Sequence, residues 1–402
     1  MNRALQTNIL WTVVSRFGSQ ILAAISSLIL ARYLGSSGFG EYAFISAVVM
    51  IGNALSTFGT DMVLIRRISS ENDYSDLSTT LAIQLLISCL FIAGVFVFYS
   101  FLPVTPSLLI YVFALIPLAF FTVFTIALRG AQEMRMFSLL NFWAAFFQMI
   151  AAFVLVFQKQ DVSHLSLLLI GTQTLAALLG FLLCLLRIDN FLGHWQFSLE
   201  RVLPLLRSSF QMALIGTFRL LYEKLALTLL PILAGVNVTG LFSASLRVTN
   251  VANLGHTSAL TAIYPEMARD KKFTAHRTGL VMLLFTAACI SLVLFLFSPQ
   301  IIIVLFGDQF MESISSLRIL AWILIPNFFV LYYSLAFVAQ EVERPVLRSL
   351  VASLLLMLIL LVTLSPLYGL RGAAFALLSA ESFQALLLWL QWRVRAFSKS
   401  PE

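Results

Sequence analysis

The feature that most constrains this chain is a succession of long apolar runs. Residues 350–364 hold no charged side chain and would be apolar on every side of a helix. Comparable runs recur along most of the chain. A helix needs about 20 mostly apolar residues to cross the hydrocarbon core of a bilayer. Lipid offers the backbone no hydrogen-bond partners, so only helices or closed barrels can span it. A barrel would show segments of about ten residues alternating apolar and polar. These runs do not alternate, so the fold class is all-α integral membrane. Composition agrees: 60% of the 402 residues are hydrophobic and 11% charged, against about 25% charged in soluble domains.

The runs predict about twelve transmembrane helices, near 9–33, 42–65, 78–101, 107–128, 137–158, 163–186, 206–234, 240–265, 278–298, 316–340, 346–366 and 370–393. Pro103, Pro106, Pro204, Pro299, Pro345 and Pro366 fall at or beside these ends, as helix breakers should. The loops are too short for a separate soluble domain. The first run is longer than a signal-peptide core and is interrupted by Arg16, so it reads as an uncleaved first span.

Loop charge sets the expected orientation. With both termini in the cytoplasm, 17 of the 25 Lys and Arg lie in cytoplasmic segments. Arg32, Lys159, Arg318 and Arg371 lie at outer ends, and the other four lie inside spans. The positive-inside rule favours this arrangement. Topology thus accounts for the net charge of +7, and no nucleic-acid partner is expected. Cys89, Cys184 and Cys289 sit within apolar runs without ligand spacing, so neither disulfide nor metal is expected.

The turns after the first and seventh helices echo each other. Gly35, Gly40 and Tyr42 match Gly235, Gly240 and Phe242 at one constant offset. With equal helix counts on either side, this predicts two six-helix lobes, 1–200 and 201–402, around a central cavity.

Polar residues inside spans carry the functional signal, because an ionisable group there costs at least ~2.5 kcal/mol and usually faces water or a partner. They concentrate in helices 1, 2, 7 and 8, while helices 3, 6, 9 and 11 read as almost wholly apolar. Helix 1 brings Arg16. Helix 2 brings Asn53 and Asp61. Helix 7 brings Arg219, Glu223 and Lys224. Helix 8 brings Arg247, Asn250, Asn253 and His256 at spacings of three or four, on one helix face. The simplest packing turns these faces to one aqueous cavity. Glu223 can pair with Arg219, and Asp61 with Arg66 or Arg16, which would leave Lys224 and Arg247 without obvious partners. Unpaired cations suit an anionic cargo, and guanidinium suits phosphate because its fork binds two oxygens. Bland roles compete: Arg16 and Arg247 as snorkelling residues, Arg219 with Glu223 as a structural pair, His256 as a packing residue rather than a proton carrier. Glu381 in helix 12 is an isolated acid.

The stretch Ala31-Arg32-Tyr33-Leu34-Gly35-Ser36-Ser37-Gly38-Phe39-Gly40-Glu41-Tyr42 resembles the A-R-x-L-G-x-x-x-F-G-x-Y turn of bacterial oligosaccharide flippases. Phe58-Gly59-Thr60-Asp61 with Arg66 looks like the end of their second helix, and Arg129-Gly130-Ala131-Gln132 like their fourth cytoplasmic turn. Leu305-Phe306-Gly307, Leu317-Arg318-Ile319-Leu320 and Tyr368-Gly369-Leu370-Arg371-Gly372-Ala373-Ala374 resemble the approaches to their tenth and twelfth helices. The chain thus resembles, along nearly its whole length, the polysaccharide and O-antigen exporting branch of the multidrug/oligosaccharidyl-lipid/polysaccharide exporter superfamily.

The resemblance implies two lobes with helices 1, 2, 7 and 8 around the cavity. It implies alternating access moving a polyprenyl-diphosphate-linked oligosaccharide from the inner to the outer leaflet of a bacterial inner membrane, for cell-surface polysaccharide. Arg16, Arg219, Lys224 and Arg247 are the expected diphosphate ligands, with Asp61, Glu223, Asn53, Asn250, Asn253 and His256 as polar or coupling residues. No cofactor is expected beyond a coupling proton or sodium ion. Expected partners are the bilayer, the lipid-linked glycan, and the polymerase and chain-length machinery. The alternative is a multidrug exporter of the same superfamily, which a basic cavity disfavours for cationic drugs. No nucleophile–base set or phosphate-cradling glycine loop points to an enzyme.

Overall fold

The computed structural model describes the backbone of residues 3–99, 105–195, 197–269, 277–340 and 342–398, and the side chains of 18–99, 105–193, 195, 197–255, 280–340 and 342–395. Among them, seven helices are long and apolar enough to cross a membrane, and a pair bent by 71° makes an eighth. Two of the seven are each two spans joined at a glycine, Gly35 in one and Gly369 in the other. Two further helices, of 35 and 34 residues, have the length but carry too many polar groups to pass as apolar. Twelve spans result: α1 (3–34), α2 (36–57, continued past a bend as Thr60–Glu71), α3 (Leu77–Phe98), α4 (Pro106–Gly130), α5 (Met134–Gln158) and α6 (Val162–Arg187). The second set is α7 (Leu199–Leu233), α8 (Val236–Arg269), α9 (Arg277–Leu296, bent into Ser298–Phe306), α10 (Ser313–Ala339), α11 (344–368) and α12 (370–398).

Most of these helices start earlier or end later than the apolar runs predict. Hydropathy marks the part in hydrocarbon, whereas helical hydrogen bonding continues into the interface. Pro204 therefore lies inside α7, not at its boundary, because the helix begins at Leu199. Pro106 opens α4 at a first-turn position where its missing N–H costs nothing.

By its contacts the chain forms two compact units, one of residues 1–34 and 44–220, the other of residues 35–43 and 221–402. In the first unit, Leu64, Ile68, Leu77, Leu81, Phe124, Leu128, Leu140 and Phe191 form a buried cluster joining α2 to α6. Phe124 stands 5.6 Å from Phe181 and 6.3 Å from Phe191, ring to ring. Beside it Asp76, 6% exposed, pairs with Arg67 and lies 3.7 Å from Arg201, so the end of α2 and the start of α7 share one carboxylate. Gly59, at the bend of α2, lets α7 approach: a Cβ there would lie 2.5 Å from the backbone nitrogen of Ala213.

In the second unit α8 and α10 meet along serines. Ser245 Oγ lies 2.6 Å from Ser316 Oγ and donates to the Ser313 carbonyl at 2.9 Å, while Ser313 Oγ donates to the Leu241 carbonyl at 2.9 Å. Lipid supplies no hydrophobic force between helices, so small residues and polar contacts of this kind hold them together.

The repeat extends well beyond the glycine turns. Gly35 and Gly235 both hold positive φ, 70° and 93°. In α4 a 3-10 turn at Val112–Ala114 precedes Leu115-Ile116-Pro117; in α10 one at Ala321–Ile323 precedes Leu324-Ile325-Pro326. A 16-residue helix follows each turn. Each proline leaves a carbonyl in the preceding turn without its donor, and a tightened turn accommodates it.

Candidate functional site

The two helices too polar to pass as apolar spans are α7 and α8, and their mid-sections carry the charge. Lys224 is half-buried on α7, in the second unit, and its charged neighbours are Glu223 and Arg247. Glu223 itself is exposed and already engaged. Lys224 thus has one acid and one like charge beside it, and like charges held close together favour an incoming anion.

Arg247 has partners that sequence reasoning did not foresee. Its guanidinium lies 5.0 Å from the ring centre of Phe39 and 5.8 Å from that of Tyr42, with the Tyr42 hydroxyl as a hydrogen-bonding neighbour. The expectation that it stands without a partner is therefore corrected. An aromatic face can satisfy a desolvated cation, a partner class that a search for acids overlooks. Asn250 and Asn253 follow Arg247 along α8, exposed and half-buried respectively.

The other candidates fall in the first unit or outside the described side chains. Asn53 is half-buried, and its carbonyl accepts from Ser56 Oγ at 2.9 Å and from Thr57 Oγ1. Asp61, half-buried, lies in the first turn of the α2 continuation, where a carboxylate complements the helix dipole. Arg219 is exposed on α7 and engaged. The side chains of Arg16 and His256 lie outside the described residues.

The reading of α3, α6, α9 and α11 as almost wholly apolar does not hold. Thr79, Thr80, Gln84 and Ser88 in α3 are at most 1% exposed, and Gln84 Nε2 donates to Thr60 Oγ1 at 3.5 Å. Ser166 and Gln173 in α6, Ser291 in α9, and Ser349 and Ser353 in α11 are also buried. Averaged hydropathy hides single hydroxyls, but the i, i+4, i+8 spacing of Thr80, Gln84 and Ser88 was visible. Glu381, 8% exposed on α12, adjoins the Tyr222 hydroxyl of α7 in the second unit.

Two carboxylates outside the spans are held below their ordinary range. Asp73 accepts from the Ser75 backbone N–H at 2.9 Å. Asp161 caps α6, contacting the His164 side chain at 2.9 Å and accepting its backbone N–H at 3.2 Å.

Comparison with known proteins places this arrangement. The family model described as polysaccharide biosynthesis protein matches residues 5–271. A curated relative, the "Putative O-antigen transporter" of Escherichia coli (strain K12), is 21% identical, covering 96% of each chain. The lipid II flippase MurJ, in an inward closed conformation, superposes with a TM-score of 0.80 at 14% identity over 96% of this chain and 87% of that one. A multidrug resistance MATE family transporter of the MOP superfamily, inward-facing, gives 0.73 at 17% identity over 97% and 100%. At such identities the structural likenesses speak to fold alone.

Proposed function

Because the chain belongs to the polysaccharide biosynthesis protein family, we propose that it moves a polyprenyl-diphosphate-linked oligosaccharide from the inner to the outer leaflet by alternating access. It is a multi-span membrane protein of a transporter fold. The observation that carries the cargo assignment is Lys224, half-buried on α7 with the Arg247 cation and the Glu223 carboxylate as its charged neighbours. A diphosphate supplies the missing negative charge and several acceptor oxygens, and charge-assisted hydrogen bonds to it are about twice as strong as neutral ones. The sugars are carried in water along the α8 asparagines Asn250 and Asn253, and the prenyl chain stays in lipid. Nothing in this mechanism requires a covalent step.

In this reading the membrane is the bacterial inner membrane, both termini are cytoplasmic, and the basic loops face inward. A proton or sodium gradient drives the cycle, and the polymerase and chain-length machinery act on the delivered glycan. Export of cationic drugs, the alternative within the superfamily, fits poorly with a half-buried Lys224 beside Arg247.

Reconstitution into vesicles with a labelled polyprenyl-diphosphate glycan tests the reading. Lys224→Ala should lower the flipping rate by about tenfold or more, since a hydrogen bond to a charged group contributes about 1.5–3 kcal/mol. Lys224→Arg should keep most of it. Equal rates in wild type and Lys224→Ala would remove the diphosphate role.

A further inference from the structure

Glu381 is an acid that the transport reading leaves unused. It lies on a buried stripe of α12 formed by Ala373, Leu377, Glu381, Gln384 and Leu388, each at most 8% exposed. Spacings of three and four keep these residues on one helix face. An apolar side chain would fill this place at lower cost, because an ionisable group within a span is expensive and is usually retained for a function. The carboxyl meets the Tyr222 hydroxyl of α7, and the two are hydrogen-bonding neighbours. Tyr222 is 5% exposed, and both residues belong to the second unit.

Tyr222 holds a particular place on α7. The helix belongs to the first unit up to Leu220 and to the second from Leu221. In the first part Leu205, Ser209 and Ala213 make the buried stripe; in the second, Tyr222, Ala226 and Leu230 do. Tyr222 follows Ala213 by about two and a half turns, so the stripe changes to the opposite side of the helix between them. Tyr222 is the first buried residue after that change. Ala226 and Leu230 beyond it offer only apolar contact, for which lipid competes on equal terms, so they leave the rotation of the helix loosely set. A buried hydrogen bond is directional and selects one rotation. Glu223 and Lys224 come next, about 100° and 200° around the helix from Tyr222. With Tyr222 turned to Glu381, Lys224 therefore stands on the far side of α7, half-buried, and Glu223 is exposed beside it.

We infer that Glu381 is a positioning residue for the cargo site: through the Tyr222 hydroxyl it sets the rotation of α7 that presents Glu223 and Lys224. This inference rests on the transport reading above. Glu381 acts through Tyr222 and touches no cargo itself. Glutamine in its place keeps an acceptor oxygen for the phenol, whereas leucine removes it.

A nitroxide on Lys224→Cys, with Cys89, Cys184 and Cys289 replaced, reads the rotation in nanodiscs without any cargo. Its collisions with a water-soluble nickel chelate report access to water. Tyr222→Phe and Glu381→Leu should each lose most of that access, and the double variant should lose no more than either single one. Glu381→Gln should keep it. In vesicles, with Lys224 intact, Tyr222→Phe should raise the half-saturating concentration of labelled polyprenyl-diphosphate glycan about fivefold at an unchanged maximal rate. A lowered maximal rate at unchanged half-saturation would show a merely structural role and overturn the inference. If Glu381→Leu fails to insert, Tyr222→Phe, which removes one oxygen atom, decides. Unchanged nickel access in Tyr222→Phe overturns the positioning role and leaves the flippase reading standing. Lost access in a protein that flips no glycan keeps the positioning role and removes the cargo assignment.

Discussion

Single residues differ sharply in how far their environment was legible. Lys224 and Arg247 stood out in the sequence because charge inside an apolar run is costly. Asp76 did not, because it lies in a turn between spans and its second partner, Arg201, comes from α7, far along the chain. With Asp76 6% exposed and both arginines partly in solvent, Asp76→Ala should cost about 2 kcal/mol, below the ~3–5 kcal/mol of a wholly buried pair. Thermal unfolding in detergent should then show a lowered midpoint. A midpoint equal to wild type would show that the arginines are satisfied by water. Asp161 gives a pH-dependent counterpart. Its carboxyl is held low chiefly by the His164 side chain and then by the His164 backbone N–H. A lowered folded pKa means the stabilisation is full above the ordinary Asp value of ~3.9 and is lost as pH falls through the lower folded value. Asp161→Ala should cost about 1 kcal/mol at neutral pH. Asp161→Asn keeps the cap and should flatten that acid-side loss in melts between pH 7 and pH 3. A wild-type acid response in the Asn variant would assign the loss to another carboxyl.

At the scale of elements, the apolar runs placed the helix ends only loosely, and α7 and α8 carry too many polar groups to pass as apolar spans. Hydropathy reports what sits in hydrocarbon, and α7 begins at Leu199 because its first turns pack on the Asp76 and Phe191 neighbourhood. The bend in α2 falls within the motif Phe58-Gly59-Thr60-Asp61, but its cause is tertiary: the α7 backbone lies where a Cβ on Gly59 would be. The proline-linked 3-10 turns of α4 and α10 were readable as matching Leu-Ile-Pro triplets, a signal stronger than the glycine echo. The α11–α12 hairpin offers a test at this scale. A Cβ on Gly372 would lie 2.2 Å from the Leu364 carbonyl oxygen, across the turn at Gly369. Gly372→Val should therefore open the hairpin and cost about 1–3 kcal/mol or more, seen as a lower melting temperature or a loss of monodisperse protein. Wild-type stability in this variant would mean that the turn relaxes at no cost.

The molecule as a whole is two compact units whose chain segments interleave at 35–43. The helix count, the repeat and the membership of the polysaccharide biosynthesis family belong to this scale, and all three trace to patterns in the sequence. The aromatic partners of Arg247 do not, because Phe39 and Tyr42 precede it by some two hundred residues and resemble ordinary core positions. The central claim is the cargo. The most direct measurement is in a bacterium that lacks its own O-antigen flippase but makes the glycan of this protein's native host. Polyprenyl-diphosphate-linked glycan would be quantified on the outer leaflet. The account predicts that the intact protein restores it and that Lys224→Ala restores about a tenth as much or less. A correctly inserted wild-type protein that leaves the lipid-linked glycan on the inner leaflet would contradict the account.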